Sequence, residues 1–411
     1  MTKTSQEIKF IEGGVCAPRG FRANGIHCGI RKNKSKRDLA LIFSETLCNA
    51  AAVYTRNIVF GAPITVTKDS LSNGKAKAVV CNSGIANTCN PDGLEKALAM
   101  RAITANGLGI APEDIIIAST GVIGLPLNLE PVENGMKTLV EGLSEGGSDF
   151  AAQAIMTTDT RKKEYAVEFT LDGKTCSIGA IAKGSGMICP DMATMLCFMT
   201  TDADITLPAL QSALTAAVKV SFNMLSIDGD TSTNDMASIM ANGLAGNNPV
   251  EAGSNDFEVF KNALTALCIK VAREMARDGE GATKLLECIV EGAADDESAG
   301  IMAKSVIKSS LVKTAVFGED ANWGRIICAM GYSGVKFDVD KVSISFESEG
   351  GKVAVCENGK ALNFSEEKAA KVLAKDEIVI RAALNEAKGR AVAFGCDLTY
   401  DYVKINGDYR T

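Results

Sequence analysis

Histidine is almost missing from this chain: His27 is the single one in 411 residues. A Ser–His–Asp triad, a histidine-rich zinc site or a histidine relay would each have to be built on that one side chain, and a lone histidine reads first as structural. Cysteine is plentiful, at thirteen, but lacks pattern. No two cysteines stand as C-x-x-C, and the tightest pairs, Cys81/Cys89 and Cys189/Cys197, are eight residues apart. Neither zinc spacing nor a small secreted disulfide scaffold is present, so free, mostly buried thiols in a reducing compartment are expected. An excess of positive charge is also absent: 43 Lys and Arg face 50 Asp and Glu, a net charge of −7. The one basic run, Arg31–Arg37, is short and reads as a solvated loop, so no nucleic-acid partner is expected. No apolar stretch reaches the ~18 residues of a membrane helix, and the N-terminal MTKTSQEIKFIEGG has no apolar secretory core. These absences predict a cytoplasmic protein with no membrane partner.

What is present fits a soluble globular chain, with 46% hydrophobic and 23% charged residues. The length predicts two or three domains or one large one. Glycine is high at 39, proline low at 9 and aromatics only 5%, which favours close backbone packing. Leu94, Leu98, Ala102 and Ala105 share a helical face, with Gly107 as the expected stop. Leu210, Leu214 and Val218 form another, with Thr206 as cap and Pro208 in the first turn. Phe257, Phe260, Leu264, Leu267, Val271 and Met275 predict a long helix ending near Gly279. Tyr165, Val167 and Phe169 alternate as a strand, and Asp172-Gly173 turns it into a second strand through Ile178 and Ile181. Strands are also predicted at 342–348, 353–356 and 377–382, with a hairpin turn at Asn358-Gly359 and an ordered terminal strand through Leu398, Tyr400 and Tyr402. Hairpins mixed with helices indicate an α+β layered fold. No G-x-G-x-x-G follows a strand and no G-x-x-x-x-G-K-[ST] occurs, so nucleotide binding loses its main support.

Residues 183–204 read KGSGMICPDMATMLCFMTTDAD. The plain reading is a buried loop followed by a core strand, MLCFM. A second reading starts from the shortage of histidine. A threonine at a chain end carries its own base, its free α-amine, whose pKa of about 7.7–8.0 is close to working pH. Thr194 would gain that amine only if the Ala193–Thr194 bond were cut. The sequence permits this; composition alone does not require it.

The segment Lys183-Gly184-Ser185-Gly186-Met187-Ile188-Cys189-Pro190-Asp191-Met192-Ala193-Thr194-Met195-Leu196 closely resembles the self-processing centre of the ornithine acetyltransferase (glutamate N-acetyltransferase) family of arginine biosynthesis, K-G-x-G-M-I-x-P-x-M-A-T-M-L. Further blocks match in order: NSGIAN (82–87), STGVIG (119–124), MTTDT (156–160), GEGATK (279–284), ANWGR (321–325) and DYVKINGDYRT (401–411). Ile85 departs from the family, which more often has Asn there. The resemblance implies a layered α/β sandwich of the self-processing ornithine acetyltransferase and aminopeptidase type. It also implies autocleavage at Ala193–Thr194 into an α segment, 1–193, and a β segment, 194–411, which associate as a heterotetramer.

By the same resemblance Thr194 is the nucleophile, and Thr120 and Gly121 form the oxyanion hole. Thr157 or Thr158, Lys183, Glu280, Asn406 and Thr411 contact the substrates N-acetylornithine and glutamate. No metal or cofactor is implied, and acetyl-CoA is left open as a second acetyl donor. Two other readings use the same residues differently: an N-terminal-nucleophile amidase or aminopeptidase that gives the acyl group to water, and a non-catalytic binding protein that is never cut. The amino-acid recognition set Lys183, Glu280, Asn406 and Thr411 favours the transferase.

Overall fold

A computed structural model describes residues 8–189 and 195–408. The larger of its two sheets is built from β1 (Lys9–Ile11), β2 (Phe21–Ile26), β3 (Leu39–Tyr54), β4 (Lys75–Ile85), β5 (Ile115–Val122), β6 (Lys163–Leu171), β7 (Lys174–Lys183), β8 (Leu196–Thr201) and β9 (Met236–Ala241). Its order is β1-β6-β7-β8-β9-β3-β4-β5, with β2 paired to β3. The second contains β10 (Leu285–Ala293), β11 (Ser343–Ser348), β12 (Gly351–Glu357), β13 (Lys360–Ala361), β14 (Glu377–Ala383) and β15 (Gly389–Cys396), in the order β13-β12-β11-β14-β10-β15. The helices are α1 (Ala62–Ser70), α2 (Gly93–Leu108), α3 (Glu130–Glu141), α4 (Ser148–Ile155), α5 (Leu207–Val220), α6 (Asn255–Arg277), α7 (Asp296–Lys308), α8 (Ser310–Phe317), α9 (Trp323–Gly331), α10 (Glu366–Leu373) and α11 (Tyr400–Gly407). Both sheets mix parallel and antiparallel pairs, and the class is α+β as the sequence predicts.

The central strands explain the apolar run that follows residue 194. In β8, Cys197 and Met199 face the core under α5 and α6, while Leu196 and Phe198 face the core on the opposite side, under α4. β9 divides in the same way, Ala237 and Ile239 one way, Met236 and Met240 the other. Strands covered on both faces need no polar face, so the period-two signal disappears into a continuous apolar run. Helix α6 packs on β6 and also touches β10 and β15, so it lies between the sheets. All six of its predicted core residues are buried, and Ser254 caps it by accepting the Phe257 N–H at 3.1 Å.

The hairpin turns form where Asp-Gly and Asn-Gly predict them. Asp172 and Gly173 have φ of 47° and 70°, Asn358 and Gly359 49° and 70°. Two successive positive φ values match the right-handed strand twist, and these residue types tolerate them.

Four local expectations are corrected. Leu94, Leu98 and Ala102 of α2 face outward, and Ala97, Met100, Thr104 and Ala105 are buried instead. The helix also runs through Gly107 to a left-handed Gly109, at φ 66°. Gly107 is a close-packing glycine: a Cβ there would stand 2.6 Å from Met136 Cγ of α3. Thr206 precedes α5 without capping it, because its hydroxyl is turned to the Val250 carbonyl at 3.2 Å. The terminal strand is helix α11. β15 ends at Cys396, and the chain then crosses over Gly281, where Thr399 Oγ1 donates to the Gly281 carbonyl at 2.7 Å. Asp401 in the first turn suits a helix N-terminus.

Candidate active site

β5 and β7 lie far apart in the larger sheet, with β8, β9, β3 and β4 between them. Their ends nonetheless meet. The first part of β3 pairs with β4, the last part with β9, and the β3–β4 register shifts between Phe43 and Cys48. Such an irregularity bends a strand. Across the bend Asn234, just before β9, acts as a staple. Its Nδ2 donates to the carbonyls of Ala86 (2.6 Å) and Ser119 (2.9 Å), and its Oδ1 accepts from Thr88 Oγ1 (2.6 Å) and Thr233 Oγ1 (2.7 Å).

Thr120 and Gly121 sit at the end of β5. Gly121 is at φ 130° and is paired with Gly84 of β4. A Cβ on Gly121 would lie 2.2 Å from the Gly84 carbonyl carbon, so only glycine fits this approach. Ile85 leaves the loop's polar contacts intact, because its backbone carbonyl takes the Asn82 amide at 3.0 Å. Lys183 is the last residue of β7, and its Nζ donates to Thr120 Oγ1 at 3.2 Å. Burial pushes the Lys183 ammonium below its usual range, while Asp159 and Asp235 pull it back up.

A buried ion cluster fixes the segments around Lys183. Asp159 Oδ1 accepts from Lys163 Nζ (2.6 Å) and from the Gly184 N–H (2.7 Å), and Oδ2 accepts from the Thr157 N–H (3.0 Å). Lys163, only 1% exposed, also donates to Asp278 Oδ2 at 2.5 Å. Asp278 in turn accepts from the backbone N–H groups of Thr160 and Arg161. Burial would raise the Asp159 carboxyl, but the charges of Lys163 and Lys183 outweigh it and bring it down to about 2. One lysine thus ties together the Thr157–Thr160 turn, the end of β7 and the end of α6.

Glu280 follows that end of α6. Its N–H donates to the Ser185 carbonyl at 2.8 Å, and its Oε2 accepts from Asn406 Nδ2 of α11 at 2.7 Å. Gly186 packs against this carboxylate: a Cβ there would fall 2.3 Å from Glu280 Oε2 and displace it. Thr158 Oγ1 and Ser185 Oγ are 2.7 Å apart. Asp228 accepts the N–H groups of Met187 (2.5 Å) and Ile188 (2.9 Å), which shapes the same loop.

A cavity of about 300 Å³ is lined by Thr120, Gly121, Lys183, Thr157, Thr158, Glu280 and Asn406. Seven of the residues singled out in the sequence therefore share one wall or another of a single pocket. Ala193, Thr194 and Thr411 lie outside the described residues. Met195, the residue after Thr194, is held by its carbonyl to the Met236 N–H at 2.8 Å, and it lines a smaller cavity that also touches Thr120 and Lys183. The sequence reading missed Asn234, Asp159, Lys163 and Asp278. Asp159 falls inside the MTTDT block but carries no signal of its own beside the threonines.

The remaining candidates for chemistry are engaged elsewhere. His27 Nδ1 lies 2.9 Å from the Lys36 carbonyl and 3.1 Å from Asp38 Oδ2, in a surface loop. All thirteen cysteines are free, and burial pushes the Cys81 and Cys268 thiols up to about 12 and that of Cys197 well above the ordinary value. A thiol so placed is a poor nucleophile. Arg31–Arg37 is anchored more firmly than a solvated loop: the Arg37 guanidinium lies 4.2 Å over the Phe150 ring. Among the described residues no three His, Cys, Asp or Glu side chains gather as a metal ion would need, and no helix is long and apolar enough to cross a membrane.

Comparison with known proteins identifies a family for the chain. The ArgJ family matches residues 22–411. The arginine biosynthesis bifunctional protein ArgJ 1 of Clostridium acetobutylicum is 51% identical over 95% of this chain and 96% of its own, and ArgJ of Bacillus subtilis is 48% identical over 99% of each. Two solved structures are also similar. One is the arginine biosynthesis bifunctional protein of Bacillus halodurans, 46% identical, TM-score 0.49, covering 51% of this chain and 97% of that one. The other is the ornithine acetyltransferase of Mycobacterium tuberculosis complexed with ornithine, 35% identical, TM-score 0.42, covering 46% of this chain and all of that one. With half of its residues identical to such relatives almost from end to end, this chain belongs to the ArgJ family.

Proposed function

We propose that this ArgJ-family acyltransferase of arginine biosynthesis moves the acetyl group of N-acetylornithine to glutamate through an acetylated Thr194, after cutting its own chain before that residue. The observation that carries the reading is convergence: Thr120, Gly121, Lys183, Glu280 and Asn406 come from four separate parts of the chain and line one cavity. Met195, the residue after Thr194, lines a cavity together with Thr120 and Lys183.

The chemistry runs in two stages. In maturation, Thr194 Oγ adds to the Ala193 carbonyl carbon, the C–N bond breaks and the released amine keeps the hydroxyl proton. Water then splits the ester, leaving a carboxylate on Ala193 and a free hydroxyl and amine on Thr194. In turnover, that amine takes the Oγ proton as Oγ attacks the acetyl carbonyl. The proton passes to the departing ornithine nitrogen. The amine of glutamate then attacks the acetyl ester, and N-acetylglutamate leaves with the hydroxyl restored.

Every tetrahedral intermediate carries an oxyanion, for which the Thr120 hydroxyl and Gly121 N–H are the donors. One such donor is typically worth ~3 kcal/mol. Lys183 receives the α-carboxylate common to donor and acceptor, and Glu280, oriented by Asn406, faces the ornithine ammonium. We assign Thr157 and Thr158 to the substrate wall and Thr411 to the same pocket. No metal or organic cofactor is needed for these steps. Acetyl-CoA is a second acetyl donor in this reading, in keeping with the bifunctional names of the relatives. The two segments are proposed to work as a heterotetramer in the cytoplasm.

Intact mass under denaturing conditions tests the first stage. Wild-type protein is expected as two species, 1–193 and 194–411, and Thr194→Ala as one. Wild-type protein that stays a single species overturns the reading. Acetyl transfer to glutamate in excess of hydrolysis then separates transferase from amidase.

A further inference from the structure

The stretch from Ser226 to Met236 is bonded to the chain on both sides of the bond that maturation would cut. On the near side the Ile227 N–H donates to the Ile188 carbonyl at 2.7 Å, and Ile188 and Thr231 form an antiparallel bridge. Thr231 Oγ1 donates to the Cys189 carbonyl at 2.8 Å. On the far side the Met236 N–H donates to the Met195 carbonyl. The segment that carries the Ala193–Thr194 bond therefore leaves this stretch at Cys189 and returns to it at Met195. The stretch is itself fixed to the fold. Its Ser226 N–H donates to the Phe394 carbonyl of β15 at 2.9 Å, and the buried Lys313 donates from Nζ to the Ile227 carbonyl. At the other end the Asn234 staple joins it to the Ser119 carbonyl, next to Thr120.

The near side contains a strained residue. Met187 has φ of 55°, in the left-handed region that favours glycine. It is 45% exposed, so side-chain packing holds it weakly. Asp228 holds it by the backbone. Its Oδ2 accepts the Met187 N–H at 2.5 Å, and its Oδ1 accepts the Ile188 N–H at 2.9 Å and the Asp230 N–H at 3.2 Å. Both carboxylate oxygens are thus spent on consecutive backbone donors. A strained backbone persists only where its surroundings over-determine it.

We infer that Asp228 is a positioning residue for self-cleavage: by fixing Met187 and Ile188 it sets the path on which the chain reaches Ala193, and so presents that carbonyl to Thr194 Oγ. The inference rests on the proposed function in one respect, that the chain cuts itself before Thr194. In that step Oγ adds to the Ala193 carbonyl carbon, the C–N bond breaks and the released amine keeps the hydroxyl proton; Asp228 is assigned no proton and no bond in it. An attack within one chain owes its rate to geometry, so a displaced approach is slow.

The test is the rate of cutting, read by intact mass under denaturing conditions at intervals after a pulse of synthesis. Asparagine is a poor substitute for Asp228, because its amide offers one oxygen and turns an NH2 group toward the other backbone N–H. Asp228→Asn should slow cutting roughly tenfold to a hundredfold, with the thermal midpoint close to that of the wild type. Met187→Gly in the Asp228→Asn background should recover part of the rate, because glycine takes a positive φ without a clamp. A role in stability alone would lower the thermal midpoint and give no such rescue. Cutting of Asp228→Asn at the wild-type rate overturns the inference, and so does slow cutting that Met187→Gly leaves as slow. If Asp228→Asn does not fold, Thr231→Val carries the test: it removes the hydroxyl bonded to Cys189 and should also slow cutting, and an unslowed Thr231→Val then overturns the inference. Wild-type protein that is never cut removes the proposed function and this inference together, whereas wild type and Asp228→Asn cut equally fast remove the inference alone.

Discussion

Lys163 touches nothing in the pocket, yet three of the pocket's walls depend on it. It stands between Asp159 and Asp278 and donates to both, and the same two carboxylates accept the backbone N–H groups of Thr157, Thr160, Arg161 and Gly184. Replacing it by Met leaves two buried carboxylates without the cation that joins them. Breaking a buried pair in this way costs about 3–5 kcal/mol. Lys163→Met should therefore lower the thermal midpoint by several degrees and, where the protein still folds, raise KM for both substrates more than it lowers kcat. A change confined to stability would show that the cluster holds the fold without aligning the pocket. The sequence could not show this residue's place. A lysine in an alternating strand reads as one of its solvent-facing positions, and only tertiary folding brings Asp278, 115 positions away, against it. The residues that were legible, Thr120, Gly121, Lys183 and Glu280, stood in motifs whose resemblance carried their roles. The staple Asn234 had no such help, because its four partners come from three separate parts of the chain.

At the level of elements, local signals succeeded where local physics decides. The Asp-Gly and Asn-Gly turns need positive φ, and α6 has a cap, an apolar face and a clear end within its own sequence. They failed where a neighbour decides. Gly107 looked like a helix stop and is a contact with Met136, and the face of α2 turned away from its leucines because α1 and α3 pack on its smaller residues. The alternating terminal segment became α11, none of whose residues is fully buried. The contacts that hold that helix over the pocket include Asn406 to Glu280, Thr399 to Gly281 and the Tyr400 ring edge-on to Phe317. Asn406→Ala removes one hydrogen bond to a charged group, worth about 1.5–3 kcal/mol. Its KM for N-acetylornithine should rise roughly tenfold or more, with little change in thermal midpoint. A fall in stability with KM unmoved would instead make α11 a clamp on the second sheet.

For the molecule as a whole, the decisive feature is the place of β8 and β9. They sit between β7 on one side and β3 on the other, so strands from after residue 194 are flanked on both sides by strands from before it. Apolar cores lie on both faces of the same strands. The layered α+β class could be read from the mixture of hairpins and helices, but this interleaving could not. It arises from pairings such as Asn49 with Ala241, far apart in sequence, for which no local pattern exists. If the chain is cut before Thr194, the pieces remain hydrogen-bonded along both flanks of β8–β9, and heating should melt them in one transition.

Refolding is then another matter, because cutting the chain changes the molecularity of the reaction. An uncut chain, such as Thr194→Ala, returns from denaturant at a rate independent of its concentration. The cut protein must first bring two polypeptides together, so its recovery should slow in proportion to dilution. Equal recovery of both proteins at every dilution would mean that a folding step within a segment, and not the meeting of the two, limits recovery. Otherwise the interleaved sheet makes maturation a ratchet: it is reached easily by one chain and regained with difficulty by two.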